Sequence, residues 1–253
     1  MYLILTFLIS IASLAAPDRA FSAQGPDSRF TLPLVKYQGG DYKPREGALD
    51  GLLAQIARRT SIEVNREPVE IGLSDSTLYQ YPFLYLGGDK AFTMPSEKEL
   101  QNLRYFLNYG GFLLIDDNSG NENSAFDKSA RALVGRLFPQ TPLSEIDRDH
   151  SIFRSFYLIN RVVGRHFIKP YLEGVSIKGR TALIYSSNDL GGAWARNKLG
   201  GWNYDMISGG SVQRQHSIRL GINIVMYALT LDYKKDMVHL PIILERLRRF
   251  NAQ

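Results

Sequence analysis

Acidic side chains stand at the ends of several strands that the sequence predicts. The four residues are Asp41, Asp116, Asp117 and Asp189. In folds with a parallel sheet, the carboxyl ends of the strands meet at one edge, and ligands bind there. We therefore expect these carboxylates to converge on one edge of a sheet.

Such a cluster could bind a divalent cation. Carboxylate and amide oxygens suit Ca²⁺ or Mg²⁺ rather than a soft metal, and Asp116, Asp117 and Asp189 are the candidate metal ligands. The neighbouring polar side chains that would complete such a site are Asn118, Asn188 and His150.

The same carboxylates could act without a metal as a general acid and a general base, as paired acids do in glycoside hydrolysis. Adjacent residues in a strand point to opposite faces, so Asp116 and Asp117 are not expected to face each other. Either of them opposite Asp41 or Asp189 is the better geometry. A structural role is the alternative, because Asp and Asn also cap helices and bind turn amides.

Short apolar strands that alternate with helical patterns position these residues. The sequence predicts helices with apolar faces over 49–57, 96–109, 130–137 and 218–230. It predicts strands over 30–36, 69–71, 82–88, 110–118 and 180–189. This alternation is typical of an α/β fold with a mostly parallel central sheet. Ser96 with Glu99 predicts a capping box, and the pair Gly110 and Gly111 is expected to end that helix.

The composition excludes several classes of site. The chain has 253 residues and no cysteine, which excludes a thiol nucleophile, zinc–cysteine sites and iron–sulfur ligation. Its net charge is +5, but the basic residues are scattered along the chain, so we expect no nucleic-acid partner. Anionic envelope polymers or lipid headgroups suit this charge better.

Residues 1–23 are predicted to be a signal peptide, because an uncharged apolar stretch is followed by small residues. The chain is then exported to the periplasm or the cell envelope; the alternative is an uncleaved N-terminal helix that anchors it. Residues 24–253 are predicted to form a single α/β domain. The segment 240–250 predicts a basic amphipathic helix that either docks on an anionic membrane surface or packs on its own domain.

Several motifs, taken in order, resemble the bacterial domain-of-unknown-function 4159 family. They begin at Tyr37-Gln38-Gly39-Gly40-Asp41-Tyr42 and continue through Tyr81 to Tyr85, Gly110 to Asp117, Asp149-His150-Ser151, Ser187-Asn188-Asp189 and Gly221-Ile222-Asn223. The resemblance implies a class I glutamine amidotransferase-like fold, which is a three-layer flavodoxin-like sandwich. It also implies an envelope role beside MoxR-type ATPases or von Willebrand-type proteins, with no established reaction.

The resemblance departs from amidotransferases at the nucleophile. The strand that begins at Gly110 resembles the strand that carries their nucleophilic cysteine, but here it ends in Asp116, Asp117 and Asn118. Thiol-dependent glutaminase activity is therefore excluded. The candidate ligand-binding residues are Gly39, Gly40, Asp41, Tyr42, Asp116, Asp117, Asn118, His150, Asn188 and Asp189.

The sequence leaves two functions open. The first is ligand binding or scaffolding in the envelope by a protein without a catalytic thiol. The second is a carboxylate- or metal-dependent hydrolase that acts on an envelope glycan or peptide through Asp41, Asp116, Asp117, His150 and Asp189.

Overall fold

The computed structural model describes residues 29–231. The predicted signal peptide, residues 1–23, and the predicted basic helix over 240–250 lie outside the described residues. The strands are β1 (Pro33–Lys36), β2 (Val69–Gly72), β3 (Phe83–Gly88), β4 (Phe112–Asp117), β5 (Ser144–Glu145), β6 (Glu173–Ile177) and β7 (Arg180–Ser186). The α-helices are α1 (Ala48–Arg59), α2 (Glu97–Asn108), α3 (Ala125–Leu137), α4 (Leu190–Trp194) and α5 (Gly210–Leu231).

One seven-stranded sheet has the order β2-β1-β3-β4-β7-β6-β5. Strands β2, β1, β3, β4 and β7 run parallel, whereas β6 pairs antiparallel with β7 and β5 pairs antiparallel with β6. The prediction of an α/β fold with a mostly parallel sheet is therefore confirmed. Strand β4 lies at the centre of the sheet, and both of its neighbours run parallel to it.

Helices cover both faces of the sheet, which gives three layers. Alternate residues of β4 face opposite layers, because successive side chains of a strand point to opposite sides. Phe112 and Leu114 pack in a core with α1, α4 and α5. Leu113 and Ile115 pack in a second core with α2 and α3. The sheet is thus buried on both faces, as continuous apolar strands require.

Helix α2 begins as the sequence predicts. The Ser96 side chain accepts a hydrogen bond from the Glu99 backbone N–H, and the Glu99 carboxylate accepts one from the Ser96 N–H at 2.9 Å. This reciprocal capping box satisfies two N–H groups that have no partner within the helix. The helix therefore starts at a defined residue and delivers the chain to β4 with its apolar face on the sheet.

Two helices are longer than the sequence predicts. Helix α5 begins at Gly210 rather than near Ile218, and α3 begins at Ala125 rather than near Ala130. The first turns of α5 are polar and glycine-containing, so the apolar period that predicts a helix starts later than the helix itself. Among the described residues, no helix is both long enough and apolar enough to cross a membrane.

Candidate functional site

Two buried carboxylates, those of Asp116 and Asp189, come together at the carboxyl edge of the sheet. Asp116 is the penultimate residue of β4, and Asp189 follows β7, the parallel neighbour of β4. Both residues have no exposed surface. Asp189 directly precedes α4, which places the start of that helix against the end of β4. The predicted convergence of these two acids at one sheet edge is therefore present in the structure.

Asp116 accepts hydrogen bonds from four donors. Its Oδ1 atom accepts from the Leu190 backbone N–H at 2.9 Å. Its Oδ2 atom accepts from the Gly191 N–H at 2.7 Å, the Tyr85 hydroxyl at 2.8 Å and the Asn118 amide at 2.7 Å. The carboxylate thus ties β3, β4 and the first turn of α4 together.

Asp189 lies between two arginines. Its carboxylate accepts from the Arg45 Nε atom at 2.9 Å and from an Arg165 terminal nitrogen at 3.3 Å. It also accepts from the Gly192 N–H at 2.9 Å, which caps α4, and from the Asn118 amide at 3.0 Å. Its φ of 56° is in the left-handed region, which Asp and Asn tolerate better than most residues.

Burial decides how Asp116 titrates. Removal from water disfavours the charged carboxylate, and the Asp189 carboxylate adds to this effect; together they raise the pKa of Asp116 to about 7. The N–H groups of Leu190 and Gly191 act in the opposite direction, but burial outweighs them. The pKa of the Tyr85 hydroxyl is raised well above its usual value, first by burial and then by Asp116.

Asn118 bridges the two carboxylates through one side-chain nitrogen. Its backbone N–H donates to the Gly88 carbonyl at 2.8 Å, which fixes the turn after β4. Its side-chain oxygen is buried and accepts no hydrogen bond from the described residues. Asn118, Tyr85 and Arg45 line a cavity of about 20 Å³, which is enough for one water molecule.

Asp117 faces the opposite layer from Asp116, as adjacent strand residues must. It accepts from the Ser119 N–H at 2.9 Å and from the Ser124 hydroxyl at 2.7 Å. Burial raises the pKa of Asp117. The neighbouring Tyr185 hydroxyl donates to Asp127 at 2.6 Å. Asp117 therefore holds the start of α3 and does not join the pair formed by Asp116 and Asp189.

The predicted residues of the loop after β1 lie at the same edge but outside the buried pair. Asp41 accepts from the Lys43 N–H at 2.9 Å, and it makes no hydrogen bond to either buried carboxylate. The Tyr42 hydroxyl donates to Glu70 at 3.1 Å. Gly39 and Gly40 have φ values of 68° and 81°. They shape this loop, because the left-handed region favours glycine.

His150 lies at the other end of the sheet, so the prediction that it joins the carboxylates is wrong in geometry. Its Nδ1 atom accepts from the Ile152 N–H at 3.2 Å and caps a short 3₁₀ helix. Its Nε2 atom lies 3.0 Å from the Thr181 hydroxyl, near the amino end of β7. Asn188 is at the carboxyl edge, but its oxygen accepts from the Ile168 and Lys169 N–H groups and fixes that loop.

Three residues of the cluster are not predicted from the sequence: Arg45, Arg165 and Tyr85. Both arginines also contact the ring of Tyr204, at 4.9 and 5.6 Å from its centroid. Arg165 lies 2.7 Å from the Nε2 atom of His166. The sequence could have indicated Tyr85, since a hydroxyl inside a fully buried strand needs a polar partner. It could not have indicated the two arginines, because they are far from Asp189 in sequence.

The hydrogen-bond donors around Asp116 and Asp189 leave no unoccupied carboxylate oxygen for a cation. Each oxygen of Asp116 and Asp189 already accepts a hydrogen bond, so a cation would have to displace N–H groups or Arg45. In residues 29–231, no three or more His, Asp or Glu side chains are grouped so as to hold a metal ion. The arrangement instead holds loops from β1, β4 and β7 in one position.

Comparison with known proteins gives a family. A family model described as a domain of unknown function (DUF4159) matches residues 31–229, which include all seven strands of the described residues and nearly all of α5. No curated protein matches the chain. The matched segment contains Arg45, Asp116, Asn118, Arg165 and Asp189, so the buried cluster lies within the family's domain. The chain belongs to the DUF4159 family.

Proposed function

We propose that this chain is a bacterial envelope protein that binds a ligand or scaffolds a partner at the carboxyl edge of its sheet. The proposed fold is a class I glutamine amidotransferase-like, flavodoxin-like sandwich without a thiol nucleophile. The order of the parallel strands and the absence of cysteine from the sequence support this proposal. Family membership brings no reaction with it, because the family is described only as a domain of unknown function.

One observation carries the proposal: the central carboxylates are buried and fully engaged. Asp116 and Asp189 have no exposed surface, and their oxygens accept from backbone, tyrosine, asparagine and arginine donors. A carboxylate that transfers a proton to a substrate must lie within hydrogen-bond reach of that substrate, directly or through one water molecule. Here the two groups are used to fix the loops around them, and a preorganised loop surface favours binding.

The proposed binding surface consists of the loops that the cluster holds. They are the segments 37–47, 118–124 and 163–168, which follow β1, β4 and precede β6. Arg45 reaches from the first loop to Asp189, and Arg165 reaches Asp189 from the third. Because these ion pairs and the hydrogen bonds of the Asn118 amide to Asp116 and Asp189 hold the three segments together, a ligand or partner at this edge meets a surface that is already in place.

Hydrolysis remains the second candidate, and one observation favours it. The pKa of Asp116 is raised to about 7, which is suited to a general acid or base near neutral pH. An envelope glycan or peptide would be the substrate. Catalysis would require Asp116 to exchange one of its present donors for a substrate atom.

Location and partners belong to the same proposal. Export through residues 1–23, or anchoring by that segment if it is not cleaved, would place the domain in the periplasm or at the membrane. The family resemblance suggests MoxR-type ATPases or von Willebrand-type proteins as partners, and the basic C-terminal segment would suit an anionic membrane surface. Fractionation of cells that express the full chain tests the location directly.

Site-specific photocrosslinking tests the binding function. A photoreactive residue replaces Asn121 at the proposed edge, or Lys178 in the turn between β6 and β7 as the control; both positions are exposed. We expect a discrete crosslinked product from position 121 and none from position 178. Equal labelling at both positions, or none at either, would refute a binding surface at this edge.

A turnover assay separates the two candidates. The full chain and its Asp116→Asn variant are incubated with envelope glycan and with peptides, and the released products are measured. We expect no turnover from either protein. Turnover by the wild-type chain that the folded variant lacks would establish the hydrolase and displace the binding proposal.

A further inference from the structure

A second cavity, separate from the carboxylate cluster, lies between the segment 161–167 and the first turns of α5. Its volume is about 220 Å³. Cavities of about 300–1,000 Å³ hold drug-sized ligands, so this one is suited to a smaller molecule. Its lining residues are Arg161, Val163, Phe167, Ser208, Gly209, Val212, Gln213 and His216.

The walls of the cavity are fixed by Gln213. Its side chain is 7% exposed, and its amide nitrogen donates to the Gly164 and Arg165 carbonyls at 2.9 and 3.0 Å. Its amide oxygen accepts from the Gly209 N–H at 2.7 Å. The Ile207 N–H also donates to the Arg165 carbonyl, at 2.9 Å. These bonds join both walls, so the cavity is preformed rather than a gap between independent loops.

The charge in the cavity has one sign. Arg161 and His216 line it, and none of its lining residues is acidic. Arg161 forms no ion pair with the acidic groups of the described residues. The pKa of His216 is lowered by burial and by the positive charges of Arg161 and Arg219. A negatively charged group would be attracted to Arg161 and would also favour the protonated form of His216.

The remaining lining is apolar and open to a ligand. Phe167 is 52% exposed and Val212 is 63% exposed, whereas Val163 is buried. Small-molecule pockets are typically lined by apolar side chains together with a few polar groups that orient the ligand. The cavity therefore offers basic groups for an anion and apolar side chains for the body that carries it.

We propose that this cavity binds a small organic carboxylate with an apolar body, with Arg161 and His216 holding the carboxylate and Phe167, Val163 and Val212 contacting the body. Arginine suits this role because its planar guanidinium can donate two parallel hydrogen bonds to one carboxylate. The site adjoins the proposed binding surface, because Val163 and Phe167 belong to the segment 163–168, but neither carboxylate of the cluster lines it.

Titration with three probes tests the proposal on the full chain, observed by NMR. Benzoate carries both features, benzamide has the same body without the charge, and inorganic phosphate has the charge without the body. We expect benzoate to bind with a dissociation constant near 1 mM, a value in the range open to so small a ligand, and at least tenfold more tightly than either other probe. Equal binding of benzamide would overturn the anion site, and equal binding of phosphate would overturn the role of the apolar lining.

Matched variants locate the binding. Arg161→Gln and His216→Gln should each weaken benzoate binding, the first by about tenfold, which is the effect of losing one charge-assisted interaction. Arg66→Gln removes the same charge from an exposed loop residue outside the cavity and should leave the dissociation constant unchanged. Circular dichroism confirms that each variant is folded. Benzoate binding that survives both cavity variants, or no binding at 20-fold the expected constant, about 20 mM, would refute the proposal.

Discussion

The free energy of unfolding should fall as the pH rises from about 4 to about 7, because the folded chain holds a proton on Asp116 that the unfolded chain releases. Burial and the neighbouring Asp189 raise the pKa of Asp116 to about 7, whereas an unfolded aspartate has a pKa of about 3.9. For an acid whose folded pKa is raised, the stabilisation is complete below the unfolded pKa and is lost as the pH approaches the folded pKa.

The size of the effect follows from the two pKa values. Their separation corresponds to about 4 kcal/mol, or about 1.4 kcal/mol for each pH unit within that window. Asp116 has no exposed surface, so solvent screening does not reduce this value greatly. The effect is large compared with the total stability of 5–15 kcal/mol that is typical of a folded protein, about a quarter or more of it.

Urea unfolding measures the contribution of Asp116 to this pH dependence. The unfolding free energies of the full chain and of Asp116→Asn are determined at intervals between pH 4 and pH 8.5. Fluorescence of the buried Trp194 follows the transition. The asparagine variant cannot titrate at this position, so its unfolding free energy is subtracted from that of the wild type at each pH. The difference should decline through the window and level off above pH 7. Asp149→Asn, an exposed control, should give a flat difference.

A flat difference for Asp116→Asn would refute the reasoning. It would mean that the four hydrogen-bond donors keep Asp116 ionised in the folded chain, and that burial does not dominate its titration.

A constant offset between the unfolding free energies of the two proteins is expected in addition. The asparagine side chain presents an NH₂ group where the carboxylate accepted hydrogen bonds, and a buried donor left without a partner costs about 1–3 kcal/mol.

Three further changes test the structure. Asp189→Asn keeps the left-handed backbone but leaves two partly buried guanidinium groups without their carboxylate, and should reduce the unfolding free energy by about 3 kcal/mol; a loss below about 1 kcal/mol would contradict this. Gly51→Ala places a methyl carbon 2.0 Å from a backbone oxygen of α4 and should cost about 3 kcal/mol. Its helical control, Gly135→Ala, has open space and should gain about 1 kcal/mol; equal effects would refute the packing argument. Ca²⁺ and Mg²⁺ should leave the melting temperature unchanged, and a rise that Asp116→Asn abolishes would restore the cation site.

The sequence predicts the centre of the sheet well, because buried parallel strands are continuous apolar runs. Strands β3, β4 and β7 lie close to their predicted positions. Strand β6 is not predicted from the sequence, since Glu173–Ile177 contains two polar residues and a glycine; in the structure it pairs antiparallel with β7. The first eight residues of α5 are also not predicted. They are mostly polar, so tertiary contacts rather than an apolar period determine that they are helical.

The sequence likewise predicts some residues of the candidate site and not others. The ends of β4 and β7 placed Asp116 and Asp189 at one edge, because strand direction alone determines that position. Arg45 lies 144 residues from Asp189 and Arg165 lies 24 residues from it, so no local spacing indicates either contact. His150 belongs to one of the family-like motifs, but the irregular segment that contains it lies at the opposite end of the sheet from Asp116 and Asp189.

The two borders of the sheet bear on how the protein behaves at high concentration. Strand β2, at one border, carries the exposed Glu70, which pairs with Lys43. At the other border β5 is only two residues long, and both of them are exposed. Charged and very short border strands are poor templates for strand addition by another chain. Within residues 29–231, the sheet therefore offers little surface on which amyloid-like or strand-swapped assemblies could start, and we expect the folded domain to resist aggregation through its sheet.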